Sequence, residues 1–411
     1  MSKRVFKSML PLLVIFASLF VVVAPKAAYA ENMCEEGNSW DVVVNPGSGT
    51  YADGKITYAT DSGVMTLNGY NGGPICVDDT SRNKLTVELE GENKINVGDG
   101  QYGVGVHGIE YVTVVGNGAL VITGDNGKWR AMDVSFLSVE NGNVRVLNPY
   151  NSECSLDINS ITGGSVYSEC MVFGGQEIFY QFGGDFEIKI DEATEPCFAS
   201  AFMVFNGGTT NIECNGAPAM YGEYEAEFDD LMEQFTVETD GNIRWINLGE
   251  DEFPMIVPIP LHGSVLFNDG DITLKSDVAS LIVSLGGASD VDAFFAEKGK
   301  DYLVMVADGM MVNSESPSVD SYLNRDENGA FSTLTDGADG TIISGSPWDG
   351  DLEVSANVLK TAHIAKLAVP DTDGEEVPET GDSKITIFAI MAVLGIVVES
   401  LLLSYIHVKN N

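Results

Sequence analysis

A short pattern that recurs between residues 84 and 215 restricts the fold more than any other feature of the sequence. Alternating apolar residues lead into a glycine turn, and the alternation resumes after it. The equivalent turn residues are Gly91, Gly118, Gly142, Gly164, Gly184 and Gly208, at steps of 27, 24, 22, 20 and 24 residues. Successive side chains of a strand point to opposite faces, so this alternation predicts an all-β fold built from repeats.

One repeat of this length cannot bury its inward apolar row and must stack on a neighbour. We therefore predict a right-handed parallel β-solenoid over residues 31–220, with glycines at the corners because they reach positive φ without steric cost. The spacing of leucine-rich repeats is absent, and the apolar positions hold Val, Ile and Phe. A β-sandwich of hairpins would produce the same alternation and stays open as the alternative.

The stretch at 56–75, followed by 85–95 and 112–122, resembles repeat-rich bacterial surface proteins with β-helix or carbohydrate-binding domains. Patterned turns and strands carry the likeness. It implies a β-helix that binds a glycan or a host-surface ligand, and it implies no particular binding residue.

The repeat is lost near residue 220, where an acidic stretch leads to further strand-like runs. We predict a second, mainly-β domain over residues 221–368. One short helix is expected at 291–298, with Ser289 or Asp290 as its N-cap and Gly299 as its end.

The first thirty residues have the features of an export signal. Basic residues precede an apolar run at 9–23, and Ala28-Tyr29-Ala30 has the small-x-small pattern that signal peptidases cut. The apolar run is shorter than the roughly 20 residues that a spanning helix needs. We predict that residues 1–30 are a cleaved signal peptide.

A pentapeptide and an apolar stretch end the chain. The pentapeptide is Val377, Pro378, Glu379, Thr380 and Gly381, and the apolar stretch covers 385–406. The arrangement resembles the L-P-x-T-G sorting signal of Gram-positive surface proteins, although Val replaces Leu and Glu399 interrupts the apolar stretch. In that family a sortase transpeptidase cuts between Thr and Gly and joins the threonine to a peptidoglycan or pilin amine.

The resemblance implies a linker with the sorting motif at 369–384, a transmembrane helix at 385–406 and a cytoplasmic end at 407–411. About 20 apolar residues are enough to cross a bilayer, which would leave the pentapeptide at the outer face. The expected location is the bacterial cell surface, attached to the wall. A plain single-pass membrane anchor that is never cut is the alternative.

The strong negative charge of the chain excludes some anionic partners. The chain has 61 acidic and 21 basic residues, and the part between the signal peptide and Gly381 carries a net charge of −44. Such a field repels nucleic acid and anionic membranes. Asp-Gly clusters at 268–271, 336–340 and 349–351 could attract calcium, but turn chemistry explains them and none completes an EF-hand loop. We predict no metal and no cofactor.

All six cysteines lie between the signal peptide and the tail, which indicates disulfides. Cys154 and Cys197 occupy nearly equivalent repeat positions two repeats apart, and so do Cys170 and Cys214. Equivalent positions would then be roughly 9.6 Å apart, too far for a bridge. The favoured pairs are Cys154–Cys170, Cys197–Cys214 and Cys34–Cys76. Free buried thiols are the alternative.

Five aromatic residues could form a stacking surface for sugar rings. They are Phe173, Phe179, Tyr180, Phe182 and Phe186. Alternation places Phe179 and Tyr180 on opposite faces, so part of the group must point inward, and core packing is the favoured interpretation.

An enzyme would need a catalytic constellation. The nearest candidates are Asp125, Lys128, Arg130, Asp133 and Arg145. They fall in turn-like sequence, and the chain has no G-x-S-x-G, H-E-x-x-H or P-loop motif. We therefore predict a non-catalytic adhesin or glycan-binding module anchored at the cell surface. A polysaccharide lyase or glycoside hydrolase on a β-helix scaffold is the alternative.

Overall fold

A computed structural model of the chain describes residues 34, 40–45, 47–249, 255–288, 290–299, 301–313, 321–325, 330–336, 341–348 and 351–366. These residues belong to one compact unit and are mainly β-strand, which confirms the predicted all-β class. No helix in the described ranges is long and apolar enough to cross a membrane. The predicted signal peptide, sorting motif and transmembrane helix lie outside the described residues.

The strands before the repeats are β1 (Val42–Val44), β2 (Gly49–Tyr51), β3 (Ile56–Ala59), β4 (Val64–Asn68), β5 (Asn71–Gly72) and β6 (Ile75–Asp78). The strands of the repeats are β7 (Lys84–Glu90), β8 (Glu92–Val97), β9 (Tyr102–His107), β10 (Tyr111–Gly116), β11 (Ala119–Gly124), β12 (Lys128–Asp133), β13 (Phe136–Val139), β14 (Asn143–Leu147), β15 (Glu153–Ile158), β16 (Ser160–Ile161), β17 (Ser165–Ser168), β18 (Met171–Gly174), β19 (Ile178–Gln181), β20 (Asp185–Ile190), β21 (Phe198–Ser200), β22 (Phe202–Cys214) and β23 (Met220–Glu225).

The later elements are α1 (Phe228–Phe235), β24 (Thr236–Asp240), β25 (Ile243–Asn247), β26 (Ile256–Pro260), β27 (Val265–Ser276), β28 (Leu281–Gly286), α2 (Val291–Lys298), β29 (Val304–Val306), β30 (Met310–Val312), β31 (Ser321–Arg325), β32 (Ala330–Leu334), β33 (Ile343–Ser344), β34 (Glu353–Val354) and β35 (Thr361–Lys366). Short 3-10 turns lie at Ala52–Gly54 and Gly175–Glu177. Helix α2 has the predicted bounds; the Asp290 side chain accepts a hydrogen bond from the Ala293 N–H, and Gly299 follows the last turn.

Each repeat contributes one strand to each of three parallel ladders. The first ladder contains β7, β10, β13, β16, β19 and the first part of β22. The second contains β8, β11, β14, β17, β20 and the last part of β22. The third contains β6, β9, β12, β15, β18, β21 and β23. Within the repeats, strands therefore pair with their equivalents one repeat away and not as hairpins.

The observed register confirms the equivalence of the turn glycines. Ala119 is paired with Glu92 and with Asn143, which aligns the glycine that precedes each of them. Gly164 shows why glycine is needed: its φ is +67°, and a Cβ atom there would lie 2.0 Å from the carbonyl oxygen of Gly142. A side chain at this corner would be strained and would collide with the neighbouring repeat.

The ladders continue past residue 220, where the sequence predicted a second domain. Strand β27 pairs in parallel with β22 along both the first and the second ladder, and β28 pairs in parallel with β23 in the third. Residues 226–264 form an insertion that contains α1 and an antiparallel sheet of β24, β25 and β26. The insertion lengthens one step of the repeat from Gly208 to Gly270, which hides the periodicity in the sequence.

One large hydrophobic cluster takes buried side chains from all three ladders. Its inward rows are mainly aliphatic in the early repeats, where Trp129 of β12 is an exception, and phenyl rings become frequent near β19. The Phe179 ring, fully buried, lies 4.8 Å from Phe198, 5.1 Å from Phe186 and 5.7 Å from Phe205 between ring centroids. Phenyl rings thus fill the interior where the repeats are shortest.

A buried carboxylate ties β3 to the turn after β6. The Asp79 side chain, which has no exposed surface, accepts hydrogen bonds from Ser81 Oγ at 2.5 Å, Tyr58 Oη at 2.5 Å, the Ser81 N–H at 3.0 Å and Arg82 Nε at 3.1 Å. Burial favours the neutral acid, but these hydrogen bonds outweigh it and hold the pKa of Asp79 below its ordinary value. The ionised carboxylate is therefore a structural group.

Candidate functional site

The six cysteines form three disulfides. The bridges join Cys34 to Cys76, Cys154 to Cys170 and Cys197 to Cys214, with Cα–Cα distances of 5.7, 5.2 and 6.0 Å. These are the pairs that the repeat register favoured. No described cysteine is free, so a thiol nucleophile or thiolate ligand is not offered by these six side chains.

The structure does not gather the five charged residues considered for catalysis. Lys128, Arg130 and Asp133 lie on β12 of the third ladder, and Asp125 lies in the turn before it. Arg145 lies on β14 of the second ladder, where its guanidinium carbon is 5.7 Å from the centroid of the Tyr167 ring. A catalytic site made from all five residues is therefore not formed.

Lys128 and Arg130 border a cavity of about 370 Å³ that Phe173 also lines. Both cations face acidic partners: Lys128 Nζ lies 2.6 Å from Glu153, and an Arg130 guanidinium nitrogen lies 3.9 Å from Asp157. Glu153 and Glu195 also line the cavity, so its charges are balanced. The cavity offers little net attraction to an anion.

The five aromatic candidates divide between the core and the outer surface. Phe179 and Phe186 are buried in the main cluster, as core packing predicted. Phe173 is partly exposed and stacks on Trp348 at 6.4 Å, while Tyr180 and Phe182 lie together on the outer side of the first ladder with centroids 5.7 Å apart. Core packing therefore explains only part of the group.

The outer face of the first ladder carries an aromatic wall formed by Tyr111, Phe136 and Tyr180. Tyr111 on β10 is the Cα partner of Phe136 on β13, and their ring centroids are 5.8 Å apart. Phe136 lies 6.5 Å from Tyr180 on β19. The rings are tilted by 52° and 46° to their neighbours, so the wall is stepped and not one flat platform.

The insertion supplies the opposite wall and closes the space into a groove. Ile243 of β25 packs on Val204 and Leu266 of the first ladder, which fixes the small sheet against its outer face. Met255, Ile256 and Val257 then lie across from the aromatic wall, and the cavity between them has a volume of about 460 Å³. We call this cavity the groove.

Polar side chains interrupt the apolar lining of the groove. Thr113 and Ser138 are Cα partners on neighbouring strands, and both line it. Ser160 donates a hydrogen bond to Ser138 at 2.7 Å between hydroxyl oxygens. Burial raises the pKa of the Tyr111 and Tyr180 phenols, so both hydroxyls stay protonated at neutral pH and can donate.

Of the three wall residues, only Tyr180 was predicted from the sequence, and Tyr111 and Phe136 were not. A signal was present, because Tyr111 lies seven residues before its turn glycine and Phe136 six before the next. Residues at matching distances from a repeated turn stand next to each other on stacked strands. The opposite wall had no such signal, because it comes from the insertion.

Two carboxyl groups outside the groove have raised pKa values. Loss of hydration raises the pKa of Glu177 and Glu225, and the negative charge of Glu223 adds to both effects. Neither residue lines the groove or the cavity beside Arg130. In the described ranges, no group of three or more His, Cys, Asp or Glu side chains is placed to hold a metal ion.

Comparison with known proteins gives no relative from which a site could be transferred. No family model matches the chain, and neither a curated protein nor a solved structure matches it. Its function must therefore be argued from its own residues.

Proposed function

We propose that this chain is an exported surface protein whose ectodomain is a parallel β-solenoid that binds glycans without cleaving them. The three parallel ladders around one hydrophobic cluster support the solenoid, since each repeat contributes one strand to every ladder. The continuation of the ladders through β27 and β28 supports a single repeat body with an insertion.

The groove is the observation that carries the binding proposal. Ligand sites are mostly apolar concavities with a few placed polar groups, and the groove joins an aromatic wall to the hydroxyls of Thr113 and Ser138. An aromatic face can cover the apolar side of a sugar ring while hydroxyls bind its polar edge. This combination suits a saccharide better than a purely apolar ligand.

A peptide that adds a strand is a poorer fit. Strand addition needs a free row of backbone donors and acceptors, and β26 is the edge strand of the insertion's sheet, at the border of the groove. Pro258 and Pro260 remove two N–H groups from β26, so a regular ladder cannot extend from it. The groove therefore favours side-chain recognition of a ligand over main-chain pairing.

We propose binding without cleavage because of where the carboxyl groups lie. Catalysis of glycoside cleavage commonly uses two carboxyl groups at the bound sugar. In the part of the chain that the structure describes, no carboxylate lines the groove, and the two carboxyl groups with raised pKa values lie elsewhere. A lyase or hydrolase remains the competing proposal, and depolymerisation of a polysaccharide by the purified protein would establish it.

Removal of the Tyr111 ring should weaken glycan binding. We expect Tyr111→Ala to reduce affinity about tenfold for the saccharides that the full-length chain binds on a glycan array, because an aromatic anchor is lost. Tyr111→Phe should retain most of the affinity, since the ring remains. The protein should be studied in a detergent without a sugar headgroup, which could itself enter the groove.

Tyr150→Ala is the matched control, because Tyr150 is 60% exposed on a turn and does not line the groove. Tyr150→Ala should bind these saccharides with the same affinity as the wild type. Equal binding by Tyr111→Ala and the wild type would move the site away from the groove, and failure to bind any saccharide would remove the glycan proposal.

The surface location is part of the same proposal. Three disulfides agree with folding in an oxidising compartment outside the cytoplasm. The sorting motif at 377–381 would then place the ectodomain on the wall, with a sortase and a peptidoglycan or pilin amine as partners.

Thr380→Ala tests the anchoring. In a sortase-positive Gram-positive host, the wild type should be released with wall fragments after muramidase digestion, because Thr380 would carry the covalent link. The variant should stay almost entirely in the membrane fraction. Identical fractionation of both proteins would favour an uncut membrane anchor.

A further inference from the structure

We infer that the groove selects glycans that carry an isolated carboxylate and that the Lys84 ammonium group binds this carboxylate. The inference rests on the proposed glycan-binding function and specifies its ligand class. It would make Lys84 a specificity-determining residue of the groove.

The described lining of the groove carries a positive charge. The chain has 61 acidic and only 21 basic residues, yet among the described residues Lys84 is the sole charged side chain that lines the groove. The cavity beside Arg130 is different, because Glu153 and Glu195 accompany its two cations. The groove thus carries a local positive charge on a strongly acidic protein, which favours an anionic group in that place.

The Lys84 ammonium group has no partner among the described residues. Most other described cations are matched: Lys94 Nζ lies 2.7 Å from Glu92, for example, and Lys366 Nζ lies 2.7 Å from Asp269. The Lys84 ammonium group forms neither an ion pair nor a hydrogen bond in that part of the chain, and only the backbone of Lys84 is paired, in the ladder. Its three N–H donors are therefore available to a ligand.

The strand register places Lys84 beside the aromatic wall. Lys84 on β7 is the Cα partner of Tyr111, which is the Cα partner of Phe136. The three residues form one outward row across adjacent strands, with spacings of about 4.8 Å in the ladder direction. A sugar ring against Tyr111 or Phe136 would thus have a carboxylate on its Lys84 side within reach of the ammonium group.

Neighbouring groups complete the recognition of a sugar acid. The Asn83 amide lines the same end of the groove and can donate to a second carboxylate oxygen. Charge-assisted hydrogen bonds of this kind are roughly twice as strong as neutral ones. Thr113 and Ser138 remain available for the sugar hydroxyls.

The rest of the surface limits the number of charges on the ligand. The region between residues 31 and 380 has a net charge of −44, and Glu110 lies close enough to Tyr111 to influence its pKa. A polyanion would be repelled along most of its length. A largely neutral glycan with one carboxylate avoids this repulsion and keeps the contact with Lys84.

Matched oligosaccharides test the inference on the full-length chain. Sialic acid and uronic acid both present a ring carboxylate, so the two probes are sialyllactose and a glucuronosyl-glucose disaccharide, with lactose and cellobiose as their neutral counterparts. We expect at least one acid to bind about tenfold more tightly than its neutral counterpart, a gain that high salt should diminish. The acid that gains affinity identifies the source.

Lys84→Gln should remove this gain, so that the acid binds no more tightly than its neutral counterpart. Lys55→Gln is the matched control, because Lys55 is also an exposed lysine with no ion pair in the described residues, and it does not line the groove. The control should bind like the wild type. The same circular dichroism spectrum in all three proteins would show that folding is retained.

The outcomes separate this inference from the proposed function. Equal binding of acids and neutral sugars, or an acid preference that survives in Lys84→Gln, would overturn the role of Lys84 while glycan binding stands. An equal loss in Lys55→Gln would also overturn it, since the effect would then be one of net charge. Binding of no saccharide at all would refute both proposals.

Discussion

Phe179→Ala should reduce the free energy of unfolding by about 3–5 kcal/mol, the range for loss of a fully buried phenyl ring. Phe179 has no exposed surface and contacts the rings of Phe186, Phe198 and Phe205. These three neighbours come from different strands, so they cannot all move inward to fill the cavity. Urea unfolding of the protein, followed by tryptophan fluorescence, measures the loss.

Phe182→Ala is the control for this prediction. Phe182 is only three residues away, but it is partly exposed on the outer side of the ladder, where it contacts Tyr180 and Trp245. Its removal should cost clearly less, because it leaves a surface depression and not a closed cavity. Equal losses in the two variants would contradict the inward and outward assignment of β19.

The repeats were predictable because local chemistry and tertiary structure agree there. At Gly164 the chain must turn with positive φ and must also pass within contact distance of Gly142, and both demands select glycine. The alternation of buried and exposed residues on either side then fixes the register, since a shift of one residue would reverse every side chain. The register also excluded bridges between equivalent cysteines, which left the local pairs Cys154–Cys170 and Cys197–Cys214.

The continuation of the ladders past residue 220 was missed for an equally local reason. Thr209 is paired with Asp271, so the strands that follow one another in the ladder lie 62 residues apart in the chain. The intervening insertion has its own helix and sheet, and a search for a constant step stops when it is reached. A predicted domain boundary at residue 220 was the result, although the strands continue the same ladders.

One wall of the groove could be predicted in part from the sequence, and the other could not. Part of the aromatic wall could have been found by counting back from the turn glycines, since Tyr111 and Phe136 are Cα partners on neighbouring strands. Tyr180 has no such signal, because it is in register with Ser160. The second wall of the groove depends on how Ile243 packs on Val204 and Leu266, a contact between residues far apart in the sequence. Neither wall alone forms a cavity, so the site becomes visible only when the insertion is placed on the ladder.

Asp79→Asn should reduce the free energy of unfolding by about 2–3 kcal/mol at pH 7, the range for a lost hydrogen bond to a charged group. The carboxylate accepts from four donors, which are Tyr58 Oη, the Ser81 N–H, Ser81 Oγ and Arg82 Nε. An amide in its place would turn its own N–H donors towards at least one of them. The Arg82 guanidinium would also lose its charge partner.

The effect of Asp79→Asn should depend on pH in a defined direction. Because the fold lowers the pKa of Asp79, the ionised group contributes its full stabilisation above the unfolded pKa of about 3.9, and this contribution is lost as the pH falls through the folded value. The difference between wild type and variant should therefore be constant from pH 7 to about pH 5 and should shrink in stronger acid. Urea midpoints across this range measure it.

Asp61→Asn is the control, since the exposed Asp61 carboxylate accepts only from the neighbouring Ser62 N–H in the described structure. Its midpoint should stay close to that of the wild type at every pH, and a pH-independent loss in Asp79→Asn would show that Asp79 contributes through packing and not through its charge.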